Sequence, residues 1–525
     1  MNPLLCTDGY KTSHHLLYPP NTTKVYSNFT PRNVKFMPTQ AKEVVVFGIQ
    51  YTMLYIKELW DKEFFKQPKE RVCGEAKEYL SAYLGFEYDV AHFEALHDLG
   101  YLPLKVKALP EGTISSEGIP ILTICNTDPE FYWLTNFLET LLSSLLWKPL
   151  HSASMARGFK KILTKYAEET DKANLPFVDF QGHDFSYRGL QHHESAISSG
   201  LGFLTSFKGT DTIPALQAAF HYYGEKNVGF SVPASEHSTV TAWGKENEIA
   251  AFRRILKIFP KGIVSMVSDS FNLWDVLTKY LPTLKEEILA RDGKLVIRPD
   301  SGDPVDIICG QEWINYGVNK DGNGPLTKRN DHEPSRKGVV ELLWDVFGGT
   351  TNEQGYKLLD PHIGAILGDG VTLDRCEQIC QRLKAKGFAS TNLVFGIGSY
   401  SMGYATRDQQ GCAVKSTYVE LEQVGYPEGS SPEALEPYMW TEGREIFKDP
   451  ITDDGLKKSA KGRLAVQHEG INLESPLVLI QQCTKEQEKA GLLEIVFLDG
   501  ELVKFQTLSE IRERLASYAT SPVEI

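Results

Sequence analysis

Residues 294–302 read Lys-Leu-Val-Ile-Arg-Pro-Asp-Ser-Gly, and this stretch carries the pattern that decides the fold. A short apolar run, long enough for one buried strand, ends abruptly in charged and turn-forming residues. In enzymes built on parallel strands, the residues that follow the carboxyl end of a strand form the active site. The stretch therefore predicts a buried strand whose end carries Arg298 and Asp300 into a site.

Five more stretches between residues 175 and 399 repeat this pattern. In each, an apolar run leads into Gly, Asp, Ser or Pro, and helical stretches separate the runs. The other predicted strands are 175–180, 228–232, 262–267, 363–367 and 393–395. Alternating strands and helices predict an α/β fold with parallel βα units, whose strand ends share one edge.

The chain on either side of this region has a different pattern. The predicted domains are 1–150, a mixed α+β domain; 151–410, an α/β barrel that carries the active site; and 411–525, a C-terminal mixed α+β region. Part of the C-terminal region is expected to pack on the N-terminal domain. We expect a core helix from about residue 131 that Pro149 ends, and a surface insertion near 311–337.

Composition excludes several classes of protein. The net charge of −13 argues against a nucleic-acid binder. The most apolar stretch contains charged residues, and the first residues lack the pattern of a signal peptide, so we expect no membrane association. Eight scattered cysteines without a CxxC pair suit a reducing compartment and argue against a structural zinc. A cytoplasmic enzyme is the expectation.

Two glycine-rich turns are candidate phosphate sites. Residues 368–370 (Gly-Asp-Gly) and 396–399 (Gly-Ile-Gly-Ser) follow predicted strands, where backbone N–H groups can converge on a phosphate. Either turn alone is a weak signal, because glycine after a strand usually forms a simple connection. Neither a P-loop nor a dinucleotide-binding glycine motif occurs in a suitable setting, so nucleotide binding by those routes is unsupported.

Charged and aromatic side chains at the same edge supply the chemistry. Asp300 and Asp369 could accept hydrogen bonds from a ribose diol, or could cap helices. The arginines Arg188, Arg298 and Arg407 could grip phosphate, or form surface ion pairs. In its polar turn, Phe185 could stack on a planar ring. As for His237, it could be a base, a phosphate contact, a phosphorylated nucleophile or a structural residue.

Motifs spread along almost the whole chain carry a family resemblance. They lie at 7–11, 18–27, 183–189, 207–212, 231–239, 267–270, 297–302, 368–371, 406–408 and 461–464. In this order they resemble the nicotinamide phosphoribosyltransferase family. The resemblance implies an irregular parallel α/β barrel of the type II phosphoribosyltransferase kind, with an additional mixed α+β domain built from the N- and C-terminal parts.

The resemblance also implies the reaction. A homodimer with shared active sites would transfer the 5-phosphoribosyl group of phosphoribosyl pyrophosphate to nicotinamide. The products would be nicotinamide mononucleotide and pyrophosphate, in NAD biosynthesis and salvage. Mg²⁺ would accompany the pyrophosphate. ATP would be an optional co-substrate that phosphorylates His237, with Asp269 orienting the imidazole.

The roles that the resemblance implies fall into three sets. Nicotinamide would contact Phe185, Tyr10 of the partner subunit, Asp211 and Arg298. Ribose and the 5-phosphate would be bound by Asp300, Gly368, Asp369, Gly398, Ser399 and Arg407. Pyrophosphate would be bound by Arg188, His237, Arg298, Arg32, Lys415 and Lys448. Catalysis would rest on His237, Asp269, Asp300 and Arg298. One departure is Ser399-Tyr400-Ser401, where the family commonly has a longer glycine run.

Two alternatives stay open. The first is the related enzyme that uses nicotinate, and Asp211 discriminates against it, because a carboxylate should repel the nicotinate anion. The second is a catalytically silent binding protein on the same fold. The joint presence of His237, Arg298 and Asp369 argues against that alternative.

Overall fold

The computed structural model describes residues 1–311, 333–425, 438–452, 459–470 and 475–518. Most of the region expected to be an insertion, 311–337, lies outside these residues. The described chain forms two compact units. Unit 1 comprises Met1–Ser154, Ala218–Lys226 and Ala405–Tyr518, and unit 2 comprises Met155–Gln217 and Asn227–Tyr404.

The strands of the described residues, in chain order, are β1 (Thr22–Pro31), β2 (Val44–Val45), β3 (Leu104–Ala108), β4 (Ile114–Ser115), β5 (Leu122–Asn126), β6 (Gly182–Asp184), β7 (Gly209–Thr210), β8 (Lys261–Val267), β9 (Asp292–Arg298), β10 (Gly349–Thr351), β11 (Lys357–Leu359), β12 (Ile363–Leu367), β13 (Leu393–Ile397), β14 (Cys412–Gly425), β15 (Tyr438–Glu445), β16 (Ala465–His468), β17 (Leu477–Ile480), β18 (Glu494–Leu498) and β19 (Glu501–Leu502). The described helices of eight residues or more are Ile49–Trp60, Lys69–Leu84, Ala91–Leu99, Glu139–Thr170, His193–Phe203, Ile213–Tyr223, Glu248–Ile258, Leu281–Leu289, Glu333–Phe347, Leu373–Ala385 and Leu508–Ser517. Within the described ranges, no helix has the length and apolarity needed to cross a membrane.

Unit 1 is built on a seven-stranded antiparallel sheet in the order β15-β14-β1-β5-β3-β18-β19. The three central strands come from the N-terminal part of the chain, and C-terminal strands flank them on both sides. Aromatic side chains such as Phe29, Trp60 and Phe93 are fully buried in its core. The expected mixed domain made from both ends of the chain is therefore confirmed.

Unit 2 is built on six parallel strands in the order β7-β6-β13-β12-β9-β8. A seventh segment joins the two edges of this sheet, because Phe230 forms a parallel bridge with Gly209 and Ala234 forms one with Ser265. Backbone N–H groups of Thr210 and Ser265 donate to this segment at 2.9 Å each. The sheet thus closes into the irregular parallel barrel that the family resemblance implies.

The strand expected at 175–180 is wrong. Residues Lys172–Phe177 and Val178–Gln181 are short helices, and the strand of this unit is the next three residues, β6. A short apolar run fits either state, so periodicity alone cannot decide between them. The strand expected at 228–232 is reduced to the bridges that close the barrel.

The expected helix end at Pro149 is also wrong, because Pro149 lies inside the helix Glu139–Thr170. Proline removes one helical hydrogen bond, which usually kinks or ends a helix. Here the Pro149 ring packs closely on Gly48, because a Cβ atom added to Gly48 would lie only 2.5 Å from Pro149 Cγ.

Candidate active site

Polar residues and glycines, together with one aromatic residue, follow the carboxyl ends of the barrel strands. In chain order they are Phe185 after β6, Asp211 after β7, His237 after the closing segment, Asp269 after β8, Arg298 and Asp300 at the end of β9, Gly368 and Asp369 after β12, and Gly398 and Ser399 after β13. Because the strands are parallel, these residues lie at one end of the barrel. The structure thus brings together the sequence-predicted residues of unit 2.

A cavity of about 490 Å³ runs inside the barrel. Phe185, Asp211 and Arg298 line it near the strand ends, as do His183 and Ser231. Most of the remaining lining is apolar or aromatic. This volume and composition are typical of a site for a small planar molecule that a few polar groups orient.

Asp211 is the acidic group of the cavity. Its Oδ1 atom lies 2.9 Å from His183 Nε2 and accepts a hydrogen bond from Ser231 Oγ at 2.5 Å. Burial opposes its ionisation, but these hydrogen bonds and the charge of nearby Arg298 outweigh burial and hold the pKa of Asp211 below its ordinary value. The cavity therefore presents a carboxylate acceptor at neutral pH.

Phe185 is held in place by backbone and glycine contacts. Its N–H donates to the Ile397 carbonyl at 3.0 Å, and its ring centroid lies 5.0 Å from that of His183. A Cβ atom on Gly396 would lie 2.4 Å from the Phe185 ring, so only glycine leaves room for it. The buried Asp184 carboxylate braces the same turn by accepting hydrogen bonds from the N–H and the hydroxyl of Ser186.

His237 lies among acidic and hydroxyl groups. Its Nδ1 atom is 3.0 Å from Ser270 Oγ. On the other side, its Nε2 atom is 3.5 Å from Asp300 Oδ2 and 3.9 Å from Asp269 Oδ1. Asp269 in turn accepts hydrogen bonds from the N–H of Asp300 and the hydroxyl of Ser301, at 2.8 and 2.5 Å. A partly exposed imidazole oriented by carboxylates suits proton or phosphoryl transfer.

A close group next to the cavity consists of Arg298, which lines it, and of Asp300 and Gly368. Arg298 Nη2 donates to the Ser235 carbonyl at 2.7 Å, which fixes the guanidinium. A Cβ atom on Gly368 would lie 2.4 Å from Asp300 Oδ1, so the two residues are in close contact. Burial raises the pKa of Asp300, the charge of Arg298 opposes this, and Asp269 adds to it. Asp369 adds a further charge near Asp300 but does not line the cavity.

Arg188 and Ser399 lie on adjacent turns. A Cβ atom on Gly189 would lie 2.5 Å from Ser399 Oγ, so the turn after β6 packs directly on the turn after β13. Arg188 is exposed on this turn, and its guanidinium has no ion pair within the described chain. Gly398 immediately precedes the short helix Ser399–Met402. The arrangement leaves the Arg188 cation exposed at this rim.

The remaining predicted residues, Tyr10, Arg32, Arg407, Lys415 and Lys448, belong to unit 1. Four cations form a group there. Burial lowers the pKa of Lys415, Glu139 opposes this, and the charges of Arg32, Lys11 and Arg407 lower it further. Tyr10 is 64% exposed, although its neighbour Lys11 is buried and paired with Glu139 at 2.5 Å. Unit 1 thus carries an anion-attracting group and a solvent-facing aromatic ring.

Several residues of the site were not assigned a role from the sequence. His183 and Ser231 bind Asp211, Ser235 holds Arg298, and Ser270 contacts His237. All four stand inside motifs that pointed to the site, and this position was the available signal. Their partners lie 20 to 63 residues away in the chain, so only the fold reveals the contacts.

No group of three or more His, Cys, Asp or Glu side chains in the described residues is placed to hold a metal ion. The described side chains at this site thus do not by themselves form a metal cage.

Comparisons with known proteins agree with this architecture. Residues 180–426 match the nicotinate phosphoribosyltransferase family, and residues 2–105 match the N-terminal domain of nicotinamide phosphoribosyltransferase. Among solved structures, a nicotinate-nucleotide pyrophosphorylase from Pyrococcus furiosus has a TM-score of 0.53 at 16% identity, over 98% of this chain and 95% of that one. The human nicotinic acid phosphoribosyltransferase has a TM-score of 0.51 at 15% identity, over 97% and 93%. These two likenesses show the fold.

Curated relatives are closer in sequence. The nicotinamide phosphoribosyltransferase of Acinetobacter baylyi is 44% identical over 99% of this chain and 98% of its own. That of Xanthomonas campestris pv. campestris is 31% identical over 97% of each chain. That of Mycoplasma pneumoniae is 33% identical over 88% of this chain and 94% of its own. The chain therefore belongs to the nicotinamide phosphoribosyltransferase family.

Proposed function

We propose that this enzyme transfers the 5-phosphoribosyl group from phosphoribosyl pyrophosphate to nicotinamide. The observation that carries the proposal is the shared cavity, in which the Phe185 ring and the Asp211 carboxylate face the same space. A pyridine ring would stack on Phe185, and its carboxamide would donate an N–H to Asp211. The names of the curated relatives support the same substrate.

The reaction breaks the bond between the anomeric carbon and pyrophosphate and forms one to the pyridine nitrogen. Because positive charge develops on the sugar, the protein mainly orients the reactants and stabilises charge. Asp300 and Asp369, with Gly368, would hold the ribose hydroxyls and favour the cationic sugar. Arg298 would lie between the ring and the leaving group, whose negative charge its guanidinium would offset.

The phosphates would be bound at the exposed rim. Gly398, Ser399 and Arg407 would bind the 5-phosphate. Arg188, His237, Arg32, Lys415 and Lys448 would surround the pyrophosphate. Mg²⁺ would arrive already bound to the pyrophosphate oxygens, which are the ligands it prefers, rather than to a preformed protein cage. A cytoplasmic location is part of the proposal.

We further propose a homodimer with shared active sites. The cations of unit 1 and the exposed Tyr10 ring suit this arrangement, in which Tyr10 of one subunit covers the pyridine ring on the face opposite Phe185 of the other. Leu16 and Leu17, next to this segment, are 75% and 73% exposed, and a partner subunit would bury them.

ATP would act as an optional co-substrate. A nitrogen of His237 would attack the γ-phosphorus, the bond to the β-phosphate oxygen would break, and ADP would leave. Asp269 would orient the imidazole, whose Nε2 atom it approaches to 3.9 Å. Incubation with γ-labelled ATP should give an acid-labile phosphohistidine that is absent from His237→Asn. Absence of label from the wild type would contradict this step.

The deciding experiment is product analysis of the purified full chain. Nicotinamide, nicotinate and quinolinate are offered separately with phosphoribosyl pyrophosphate, with and without ATP. We expect nicotinamide mononucleotide as the main product. Nicotinate mononucleotide as the main product would favour the nicotinate enzyme, for which the matched family is named. No mononucleotide from any base would favour a binding protein without activity.

A further inference from the structure

A buried carboxyl group behind the active site is not used by the chemistry described so far. Glu248 is the first residue of the helix Glu248–Ile258, and its side chain is 1% exposed. Its Oε1 atom is buried and has no hydrogen-bond partner among the described residues. Burying a carboxyl group without a partner is costly, so such a group in an enzyme calls for an explanation.

The helix that Glu248 begins packs against two elements that carry residues of the His237 site. The helix contacts β8, whose end carries Asp269, and the short helix His237–Thr241, which begins with the imidazole itself. Asp269 has one oxygen, Oδ2, bonded to the next loop, while its Oδ1 atom is buried without a hydrogen bond and lies 3.9 Å from His237 Nε2. Two carboxyl groups, each with a buried oxygen that lacks a hydrogen bond, therefore lie on elements that pack together, and the Asp269 carboxyl group is the one that approaches the imidazole.

Burial is the main reason that the pKa of Glu248 is raised to about 7, and the negative charges of Asp269 and Asp275 add to it. The two carboxyl groups thus interact electrostatically. Carboxyl groups that share a buried region do not both ionise readily, and one keeps its proton well above the usual pH.

The other charged groups around Glu248 are already engaged. Asp275 is paired with Lys279 at 2.7 Å, and Arg253 on the helix of Glu248 is paired with Glu287 at 3.0 Å. Burial raises the pKa of Tyr280, to which the charge of Glu248 contributes. Within the described chain, therefore, Glu248 has no counter-cation of its own.

We propose that Glu248 is a positioning residue that acts on His237 through Asp269. Protonated Glu248 leaves the imidazole of His237 unaffected, and ionised Glu248 changes its charge state. This inference rests on the proposed role of His237. Ionised Glu248 would add a second negative charge behind the imidazole. That charge would favour the imidazolium form and repel incoming phosphate, so the phosphate chemistry would weaken as the pH rises through neutrality.

The first test measures the imidazole directly and needs no turnover. The full chain with isotope-labelled histidine is titrated by NMR, and His237→Asn identifies the signal. In Glu248→Gln, which cannot ionise, the His237 midpoint should fall by about half a pH unit or more, as expected for one charge removed at an effective dielectric constant near 20. The matched control is Glu246→Gln, an exposed glutamate two residues away, and its midpoint should equal that of the wild type.

The second test uses the pH profile of kcat/KM for nicotinamide with ATP. The wild type should lose activity with a midpoint near pH 7, and Glu248→Gln should retain it to higher pH. If Glu248→Gln does not fold, Glu248→Met removes the same charge with an apolar chain of similar length. Coincident His237 titrations in wild type and variant, within about 0.2 pH unit, would overturn the proposal. An enzyme without turnover but with a shifted titration would refute the proposed function and leave this inference intact.

Discussion

At the scale of single residues, Asp211 should set the choice between the amide and the acid. Its carboxylate is held ionised by His183 and Ser231, so it repels the carboxylate of nicotinate and accepts from an amide N–H. In Asp211→Ser the repulsion is gone and a hydroxyl remains. The ratio of kcat/KM for nicotinamide over nicotinate should fall by about tenfold or more, as expected when a charged discriminating contact is removed.

The matched control for this change is Asp292→Ser. Asp292 begins β9 at the end of the barrel opposite the site and is 83% exposed. The ratio of kcat/KM for nicotinamide over nicotinate in Asp292→Ser should equal that of the wild type. An unchanged ratio in Asp211→Ser would mean that selectivity lies elsewhere.

The glycine at 396 should be required for pyridine binding. In Gly396→Ala the new methyl group would lie 2.4 Å from the Phe185 ring and 2.7 Å from the Leu367 carbonyl oxygen. The ring must shift, and the KM for nicotinamide should rise by about tenfold, which corresponds to about 1.4 kcal/mol of lost binding. Steady-state kinetics checks this. Gly74→Ala, where a Cβ atom meets nothing within 4 Å, should leave the KM unchanged.

The sequence pattern could locate individual site residues but not their contacts. Asp300 and Asp369 were found because each follows a recognisable strand. The contact of His183 with Asp211 joins residues 28 apart, and that of Ser235 with Arg298 joins residues 63 apart. No local sequence pattern shows which residues so far apart in the chain come into contact, because the order of strands in the barrel decides it.

At the scale of elements, the same limits apply. Strands β8, β9, β12 and β13 were predicted because each contains a short apolar run, as burial between parallel neighbours requires, that leads into polar or turn-forming residues. The ten-residue strand β1 was missed, although it lies in the centre of its sheet. Its buried Ser27 and Asn28 interrupt the apolar pattern, and they are accommodated by hydrogen bonds to Asn136 and to the Lys415 carbonyl.

The start of the helix Ile49–Trp60 depends on a buried carboxyl group. Glu111 accepts hydrogen bonds from the Gln50 N–H at 2.6 Å and from the Tyr223 hydroxyl at 3.0 Å. Burial raises its pKa to about 7, from an ordinary value of 4.5. Between these two pH values the folded chain holds a proton that the unfolded chain has released. The contribution of Glu111 to the free energy of unfolding is therefore complete below pH 4.5 and is lost as the pH rises through 7.

Glu111→Gln cannot ionise and should lack this dependence. Between pH 4.5 and 8, the free energy of unfolding of Glu111→Gln should rise relative to that of the wild type by up to about 3 kcal/mol, an order-of-magnitude figure from the shift in pKa. Thermal unfolding midpoints at pH 5 and pH 8 provide the measurement. Glu130→Gln, an exposed glutamate of the same unit, serves as the control and should follow the wild type. A wild type and Glu111→Gln that lose stability in parallel would contradict the prediction.

At the scale of the whole molecule, the residues implied in one active site are divided between two units. The barrel of unit 2 carries the groups for the pyridine ring and the ribose. Unit 1 carries Tyr10 and the cations near Lys415. The sequence could name both sets through the family resemblance, whose motifs contain many of these residues, among them Tyr10 and Asp300. It could not show which copy of unit 1 serves a given barrel.

Complementation between two inactive variants answers this question. Tyr10→Ala damages only the contribution of unit 1, and Asp300→Ala damages only the barrel, so each homodimer should be nearly inactive. In a mixed dimer with sites shared between subunits, the barrel of the Tyr10→Ala chain receives an intact Tyr10 from its partner. Each mixed dimer has one intact site of two, so the mixed dimers that are purified through both tags should recover about half of the wild-type specific activity.

The readout is specific activity after co-purification through two different tags, with the oligomeric state measured by light scattering. Two copies of the same variant carrying the two tags form the control and should remain inactive. If Tyr10 instead serves the barrel of its own chain, every mixed dimer keeps one defect in each site and no activity returns. A monomer in solution would give the same failure, and light scattering would distinguish the two causes. Restored activity would therefore require both the dimer and the exchange of Tyr10 between subunits.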